Sequence, residues 1–168
     1  EMADLTRTAF DLADRYRMTA MIFADGTMGQ MMEPVELNTS EPEVIEKPWA
    51  VTGTQTGRKH NIVNSLSLDP AELEQFNFNR YERYAAIAEK EARWESYFMD
   101  DAEVCVVAYG IAARVSKNAI NEARKRGIKA GLIRPITLWP FPKKPLLAAA
   151  DHCKSFLSVE LSMGQMIE

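Results

Sequence analysis

The chain has 168 residues, of which 46% are hydrophobic and 26% are charged, and its formal net charge is -4. Such a composition is typical of a globular protein with one medium domain or two small ones. The negative charge offers no electrostatic attraction for nucleic acid, no apolar run reaches the ~18 residues that a membrane span requires, and no signal-peptide pattern opens the chain. We therefore expect a cytoplasmic protein that binds neither nucleic acid nor membrane.

The cysteines and histidines are few and widely spaced, and they are Cys105, Cys153, His60 and His152. None of them belongs to a CxxC pair or to another metal-binding spacing, so we expect no zinc or iron–sulfur site built by this chain alone. Cys105 lies in an apolar run, residues 104–109, and is predicted to be a buried, reduced thiol.

The first part of the chain is predicted to form a helix, a strand and the start of a second helix. Apolar residues recur at helical spacing over residues 2–17, which predicts an amphipathic helix. Residues 19–24 are a short apolar run typical of a buried strand. Residues 27–33 then predict a helix start that Thr27 caps and that Pro34 stops or bends.

The middle of the chain has little periodicity. Between residues 38 and 79 it is rich in proline, glycine, serine, threonine and asparagine, which indicates a connecting segment. A segment of this length is uncommon as a loop inside one compact domain, so it predicts a domain boundary. Residues 70–74 predict one short helix, and residues 81–98 predict a charged helix with one apolar side.

The last third has the most regular pattern. Continuous apolar runs over residues 104–109, 129–133 and 155–161 predict three strands, and the periodicity of residues 112–123 and 146–152 predicts the helices between them. Apolar strands that alternate with helices are typical of a parallel sheet with both faces covered. The predicted fold class is therefore α/β with a parallel sheet.

A short sequence occurs twice. Thr27-Met-Gly-Gln-Met-Met-Glu33 and Ser162-Met-Gly-Gln-Met-Ile-Glu168 are identical at five positions and conservative at the other two. Each follows a predicted strand, and each predicts the first turn or two of a helix. Helix N-termini at the carboxyl ends of parallel strands are where ligands and partners gather. The two turns are either good strand-to-helix connections or parts of a shared interface or cofactor edge.

Eight residues are candidates for an interface or an active-site rim, and they are Asp25, Gly26, Gly29, His60, Arg134, Glu160, Gly164 and Gln165. Plainer alternatives exist: Asp25 would make an Asx hydrogen bond in a tight turn, His60 would be solvated, and Arg134 would form an intrachain ion pair. Glu160 is a charge between apolar neighbours, where it would accept hydrogen bonds from a neighbouring turn. We expect no catalytic, cofactor-binding or metal-binding residue in this chain.

Three motifs stand out in the last third, and they are Ala108-Tyr-Gly110, Leu132-Ile-Arg-Pro-Ile-Thr-Leu-Trp-Pro-Phe-Pro142 and Ser158-Val-Glu-Leu-Ser-Met-Gly-Gln165. They resemble the transketolase C-terminal-like domain, and more closely its version in the alpha subunit of the 2-oxoacid:ferredoxin oxidoreductases. The most specific parts of the resemblance are Trp139-Pro-Phe-Pro142 and Gly164-Gln165.

The earlier part of the chain resembles the same family. Ala24-Asp-Gly-Thr-Met-Gly-Gln-Met-Met-Glu-Pro-Val35 is similar to the end of its pyrimidine-binding domain. Lys47-Pro-Trp-Ala-Val-Thr-Gly53, with Gly57-Arg-Lys-His-Asn61, is similar to the linker of the branched-chain, 2-oxoisovalerate type. The resemblance therefore covers nearly the whole chain, in the order that the family has.

The resemblance implies a domain organisation. Residues 1–37 would be the C-terminal piece of a thiamine pyrimidine-binding domain, and residues 38–100 a linker with one helix. Residues 101–168 would be a truncated transketolase C-terminal-like domain with a three-layer parallel sheet. Both ends of the chain then lie inside a longer protein, and the glutamate that activates the thiamine lies outside this sequence.

The resemblance also implies a reaction, the oxidative decarboxylation of a 2-oxoacid such as 2-oxoisovalerate to acyl-CoA and CO2 with reduction of ferredoxin. Thiamine diphosphate and Mg2+ would be shared with a partner subunit, another subunit would hold the iron–sulfur clusters, and coenzyme A would be a co-substrate. The expected partners are the other subunits, ferredoxin through the complex, and a dimeric contact. The fragment alone is expected to be inert. The alternatives are a chain of the transketolase or dehydrogenase E1 type and a non-catalytic assembly module.

Overall fold

The computed structural model forms two compact units. No helix in the described ranges is both long enough and apolar enough to cross a membrane. The first unit comprises Glu1–Phe23 and Met32–Tyr84, and the second comprises Ala24–Met31 and Ala85–Glu168. The structure describes residues 1–37, 39–41, 44–53, 57 and 59–167.

The first unit begins with helix α1, Met2–Tyr16, as predicted. The helix ends at Arg17, which adopts the left-handed conformation (φ 50°) that often terminates helices. Its last turns hold the segment around Trp49, because Asp14 pairs with Lys47 at 2.5 Å and the Arg17 guanidinium lies 5.0 Å from the Trp49 ring centre. None of the α1 residues is buried.

The strand predicted over residues 19–24 is wrong. Its backbone is not in a strand, and Met21 and Phe23 are 69% and 73% exposed. A strand exists only where a second strand satisfies its backbone N–H and C=O groups. None of the pairings within the described part of the chain involves this segment, so its apolar composition does not produce one.

Helix α3, Pro70–Lys90, is one continuous helix in a region where two separate helices were predicted. It follows α2, Gly26–Gln30, which is described with the site below. The Asp69 carboxylate accepts hydrogen bonds from the backbone N–H groups of Ala71 and Glu72 at 2.8 and 3.1 Å, and proline suits the first position of a helix. The prediction that the charged helix runs to residue 98 is wrong, because residues 94–97 pair as a strand.

The second unit is built on four strands, which are β1 (Trp94–Tyr97), β2 (Val104–Ala108), β3 (Ala130–Pro135) and β4 (Ser155–Val159). They form one sheet with the strand order β1-β3-β2-β4. The parallel pairs are β2 with β3 and β2 with β4, whereas β1 runs antiparallel to β3. The prediction of a wholly parallel sheet is therefore corrected to a mixed sheet. The segment between β1 and β2 is too short for a parallel crossover, so it reverses the chain.

Two helices flank this sheet, and they confirm the predicted alternation of strands and helices. These are α4, Gly110–Lys125, and α5, Lys143–Ala150. Successive side chains of a strand point to opposite faces, so the strands supply two separate cores. The core with α4 contains Val106, Ala108, Ala112, Ala113, Ile120, Ala130 and Leu132. The core with α5 contains Cys105, Val107, Ile133 and Ala149.

Cys105 is fully buried, and both cysteines are free thiols, as predicted for Cys105. Burial, with a smaller contribution from nearby Cys153, raises the pKa of the Cys105 thiol to about 12. Because the thiolate is the reactive form, Cys105 should resist iodoacetamide at about pH 8 in the native protein and react after unfolding in urea. Mass spectrometry of the alkylated peptides measures this, and rapid native labelling of Cys105 would contradict the packing.

Candidate functional site

The carboxyl ends of three parallel strands meet at one edge of the sheet. Val107 of β2 lies opposite Ile133 of β3, and Ala108 lies opposite Val159 of β4, so the three strands end together. Helix α4 begins here, with Tyr109 at its N-cap. In open α/β sheets ligands bind at this edge. We call it the carboxyl edge, and four of the eight candidate residues, Arg134, Glu160, Gly164 and Gln165, end or follow strands here.

Glu160 directly follows β4, and hydrogen bonds within its own segment occupy both carboxylate oxygens. Oε1 accepts from Ser158 Oγ at 3.2 Å, and Oε2 accepts from Ser162 Oγ at 2.6 Å and from the Met166 backbone N–H at 3.2 Å. The Ser162 hydroxyl is the main cause that holds the pKa of Glu160 below its ordinary value, and burial opposes it. The prediction that a neighbouring turn satisfies this charge is confirmed.

The helix start predicted over residues 162–168 is wrong for the described residues, which end at Ile167. They form bends and a turn, in which Ile167 N–H donates to the Gly164 carbonyl at 3.3 Å and Gly164 has φ 98°. In an α-helix the Met166 N–H would donate to the Ser162 carbonyl. The Glu160 carboxylate takes this N–H instead, so the turn does not continue as a helix. Glu168, the last residue of the repeat, lies outside the described residues.

The lowered pKa of Glu160 makes the order of this turn depend on pH. A carboxylate whose folded-state pKa is depressed contributes stability above its unfolded-state value, ordinarily 4.5, and loses it as the pH falls through the folded-state pKa. Glu160→Gln should therefore weaken protection of the Met166 amide at neutral pH, and the difference from wild type should vanish in acid. Hydrogen exchange measures it, and a difference that persists unchanged in acid would contradict the assignment.

Asp25 precedes the first copy of the repeated sequence by two residues and caps the short helix that this copy begins. Its Oδ1 accepts the Met28 backbone N–H at 2.7 Å, so Asp25, and not the predicted Thr27, caps helix α2. This confirms the simple turn with an Asx hydrogen bond. Helix α2 ends at Gln30, before the predicted stop, because Met31 has extended backbone angles. Gly26 and Gly29 lie in this short helix and have open space where a side chain would point.

Arg134 lies near the carboxyl end of β3 and forms the predicted intrachain ion pair. Its Nη1 donates to Glu95 Oε2 at 2.9 Å, and Lys117 of α4 binds the other oxygen of the same carboxylate. Burial lowers the pKa of Arg134. Sequence reasoning missed Glu95 and Lys117. Glu95 lies opposite Arg134 because β1 pairs with β3, and the sequence had predicted a helix where β1 is.

The candidates do not all lie in one unit. His60 is exposed and belongs to the first unit. Arg134 belongs to the second unit, as do the turns that Asp25 and Glu160 close, which we call the acid-closed turns. Arg58, the predicted basic neighbour of His60, lies outside the described residues. Gln165 and Gln30 occupy the same position in the two turns, and both are exposed.

The donor groups of this chain do not fit a metal or cluster by themselves. Within the described ranges there is no group of three or more His, Cys, Asp or Glu side chains placed to hold a metal ion. An iron–sulfur cluster is held by four thiolates, and the chain has two cysteines. The carboxylates of Glu160 and Asp25 accept hydrogen bonds from their own turns, so they shape these turns.

Comparison with known proteins gives the chain relatives over its whole length. It is 50% identical over 171 residues to the ketoisovalerate oxidoreductase subunit VorB of Methanothermobacter marburgensis, with 100% of this chain and 48% of the relative covered. The VorB subunit of Methanothermobacter thermautotrophicus is 49% identical over the same shares. The 2-oxoglutarate synthase subunit KorA of M. marburgensis is 28% identical, with 99% and 51% covered. The chain thus spans about half the length of these relatives.

A family model and a solved structure agree with the α/β fold of the second unit. The model of the pyruvate:ferredoxin oxidoreductase core domain II matches residues 102–168. The 2-oxoglutarate:ferredoxin oxidoreductase from Magnetococcus marinus aligns with a TM-score of 0.52 at 22% identity, over 60% of this chain and 18% of that one, which supports the fold alone. The chain is therefore a homologue of the ketoisovalerate oxidoreductase subunit VorB, and its residues 102–168 match the pyruvate:ferredoxin oxidoreductase core domain II.

Proposed function

We propose that the chain is about half of a subunit of a 2-oxoacid:ferredoxin oxidoreductase that acts on branched-chain 2-oxoacids. In this proposal the complex converts 2-oxoisovalerate and coenzyme A to acyl-CoA and CO2 and reduces ferredoxin. The observation that carries the proposal is the 50% identity with VorB over the whole chain, against 28% with the 2-oxoglutarate synthase subunit KorA. This difference favours 2-oxoisovalerate over 2-oxoglutarate.

The domain organisation follows from the same proposal. Residues 1–37 would complete a pyrimidine-binding domain, residues 38–100 would link it to the next domain, and residues 101–168 would be the transketolase C-terminal-like domain. Thiamine diphosphate with Mg2+ would supply the carbanion chemistry in the assembled cytoplasmic enzyme. This chain would share it with a partner subunit, and other subunits would hold the clusters that pass electrons to ferredoxin.

The part that this chain's residues play in the proposal is to shape the active-site rim or a subunit interface. The two acid-closed turns support this role, because hydrogen bonds to the Asp25 and Glu160 carboxylates hold each of them closed. The rim would comprise Asp25, Gly26, Gly29, Arg134, Glu160, Gly164 and Gln165. His60, which lies in the first unit, would contact an anionic group or another subunit.

The proposal is tested on the full-length subunit co-expressed with its partner subunits and purified without oxygen. Reduction of a viologen dye is measured with 2-oxoisovalerate, 2-oxoglutarate or pyruvate, each with and without coenzyme A. We expect the fastest reduction with 2-oxoisovalerate, dependent on coenzyme A and thiamine diphosphate, and none from the 168-residue chain alone. A complex that holds iron and thiamine diphosphate but oxidises none of the three would refute the function, and a preference for 2-oxoglutarate would refute the substrate.

A further inference from the structure

The two outer strands of the sheet differ in how their edges are protected. Strand β1 carries Glu95, whose carboxylate pairs with Arg134 and Lys117. Charged side chains and prolines are devices that keep a sheet edge from pairing with a further strand. Strand β4 is the opposite edge in the part of the chain that the structure describes, and its sequence is Ser155-Phe-Leu-Ser-Val159. It contains no charged residue and no proline, so it lacks these devices.

Strand β4 also exposes apolar side chains on both faces of the sheet. Phe156 lies beside Cys105 in the register, so it faces the α5 side, and it is 45% exposed. Leu157 lies beside Val106 and faces the α4 side, where it is 53% exposed. Apolar residues on both faces are typical of an inner strand of a parallel sheet, because helices cover both faces there.

The backbone of β4 is paired on one side only. Its register with β2 runs from Ser155 to Val159, and no other strand within the described ranges pairs with it. Successive backbone groups of a strand point alternately to its two sides, so about half of the N–H and C=O groups of β4 point away from β2. An open row of such groups is a template for pairing with another strand.

The course of the chain after β4 indicates where a further strand would come from. Met166 follows β4 and packs on the α5 side of the sheet, against the core that contains Cys105. Helix α5 connects β3 to β4, which is a step across the sheet past β2. Crossovers between parallel strands are right-handed. A second step in the same direction, from β4 to a strand beyond it, therefore passes on the α5 side as well, where the chain already lies.

We propose that a fifth strand, from the part of the subunit that follows these 168 residues, pairs in parallel with β4, and that its connection covers Phe156 on the α5 side. The chain spans 48% of its VorB relative, so a subunit of that length has further residues to supply both elements. Strand β4 then becomes an inner strand with both faces buried. The inference goes beyond the proposed function and does not depend on its substrate.

The pairing is tested by residue-resolved hydrogen exchange on the full-length subunit in its complex. Strand β2 is the reference, because it has a neighbouring strand on each side. The β4 amides that point away from β2 should exchange at rates within about tenfold of the β2 amides, since a fifth strand would bond them. Exchange of these amides more than about tenfold faster than that of β2 would show that β4 is an open edge and overturn the inference.

The identity of the neighbour is tested by photo-crosslinking in the same complex. Phe156→benzoylphenylalanine should form a link within its own subunit, to a peptide that follows residue 168, as read by mass spectrometry of the product. The matched control is Phe98→benzoylphenylalanine, because Phe98 is 46% exposed but lies in the connection between β1 and β2. The control should give no link to that peptide.

Three crosslinking results would overturn the inference. A product with the mass of two copies of the subunit would make a second copy the neighbour of β4, and a link to a different subunit would make the edge an interface of the complex. No link from Phe156 would leave that face uncovered. Neither measurement uses a substrate, so a complex that oxidises none of the three 2-oxoacids refutes the proposed function and leaves this inference to its own tests.

Discussion

Gly131→Ala should lower the free energy of unfolding of the second unit by about 3 kcal/mol, because the site has no room for a methyl group. Gly131 lies in β3, and a Cβ atom there would lie 2.6 Å from the Phe98 carbonyl oxygen, 2.6 Å from Met99 Sδ and 3.0 Å from Ala102 Cβ. The Met99 side chain can move away, but the Phe98 oxygen belongs to the backbone. Phe98 has φ 54°, and its carbonyl also accepts from Arg124 Nη2 at 2.7 Å.

Urea unfolding of the full-length subunit, followed by hydrogen exchange of the β2 and β3 amides, measures this loss. Gly29→Ala is the matched control, because a methyl group on Gly29 would have nothing within 4 Å and the residue has no positive φ. It should change the free energy of unfolding by less than about 1 kcal/mol. Equal effects of the two substitutions would show that the β1–β2 connection does not pack on β3 as described.

Leu132→Ala should cost about 3 kcal/mol, through the lost burial of the side chain and the cavity left behind. Leu132 is 0% exposed, and it lies in the centre of the sheet, opposite Val106 of β2 and Tyr97 of β1. The cavity would open in the core that α4 covers. Neighbouring strands pair on both sides of Leu132, so the surrounding backbone has little freedom to collapse into the space.

Leu147→Ala is the control for this second substitution. Leu147 lies in α5 and is 69% exposed, so its truncation removes the same atoms without a cavity, and the cost should stay below about 0.5 kcal/mol. The two variants are compared by their urea midpoints, provided that the dependence of the unfolding free energy on urea concentration is the same in both. A Leu132→Ala protein as stable as Leu147→Ala would mean that this face of the sheet is not packed by α4.

Local sequence pattern was sufficient where an element is determined by its own residues. Helix α1, strands β2, β3 and β4, and helices α4 and α5 were all predicted close to their observed positions, because helical periodicity and continuous apolar runs are signals carried by a short window of sequence. The same holds for Glu160, since its partners Ser158, Ser162 and Met166 are all sequence neighbours. The family was also predicted from short motifs, and the similarity to VorB over the whole of this chain confirms it.

What the sequence by itself determined about this protein is therefore its α/β class, its family and the short-range hydrogen bonds that close its turns. Only the tertiary structure decided which segments pair. Residues 94–97 became a strand because the edge of β3 offered backbone partners, and this pairing made the sheet mixed. Residues 19–24 are more apolar than residues 94–97 but have no strand beside them among the described residues. The Glu95–Arg134–Lys117 cluster likewise depends on strand register and helix packing. Its residues are far apart in sequence, so local periodicity cannot predict that they are in contact.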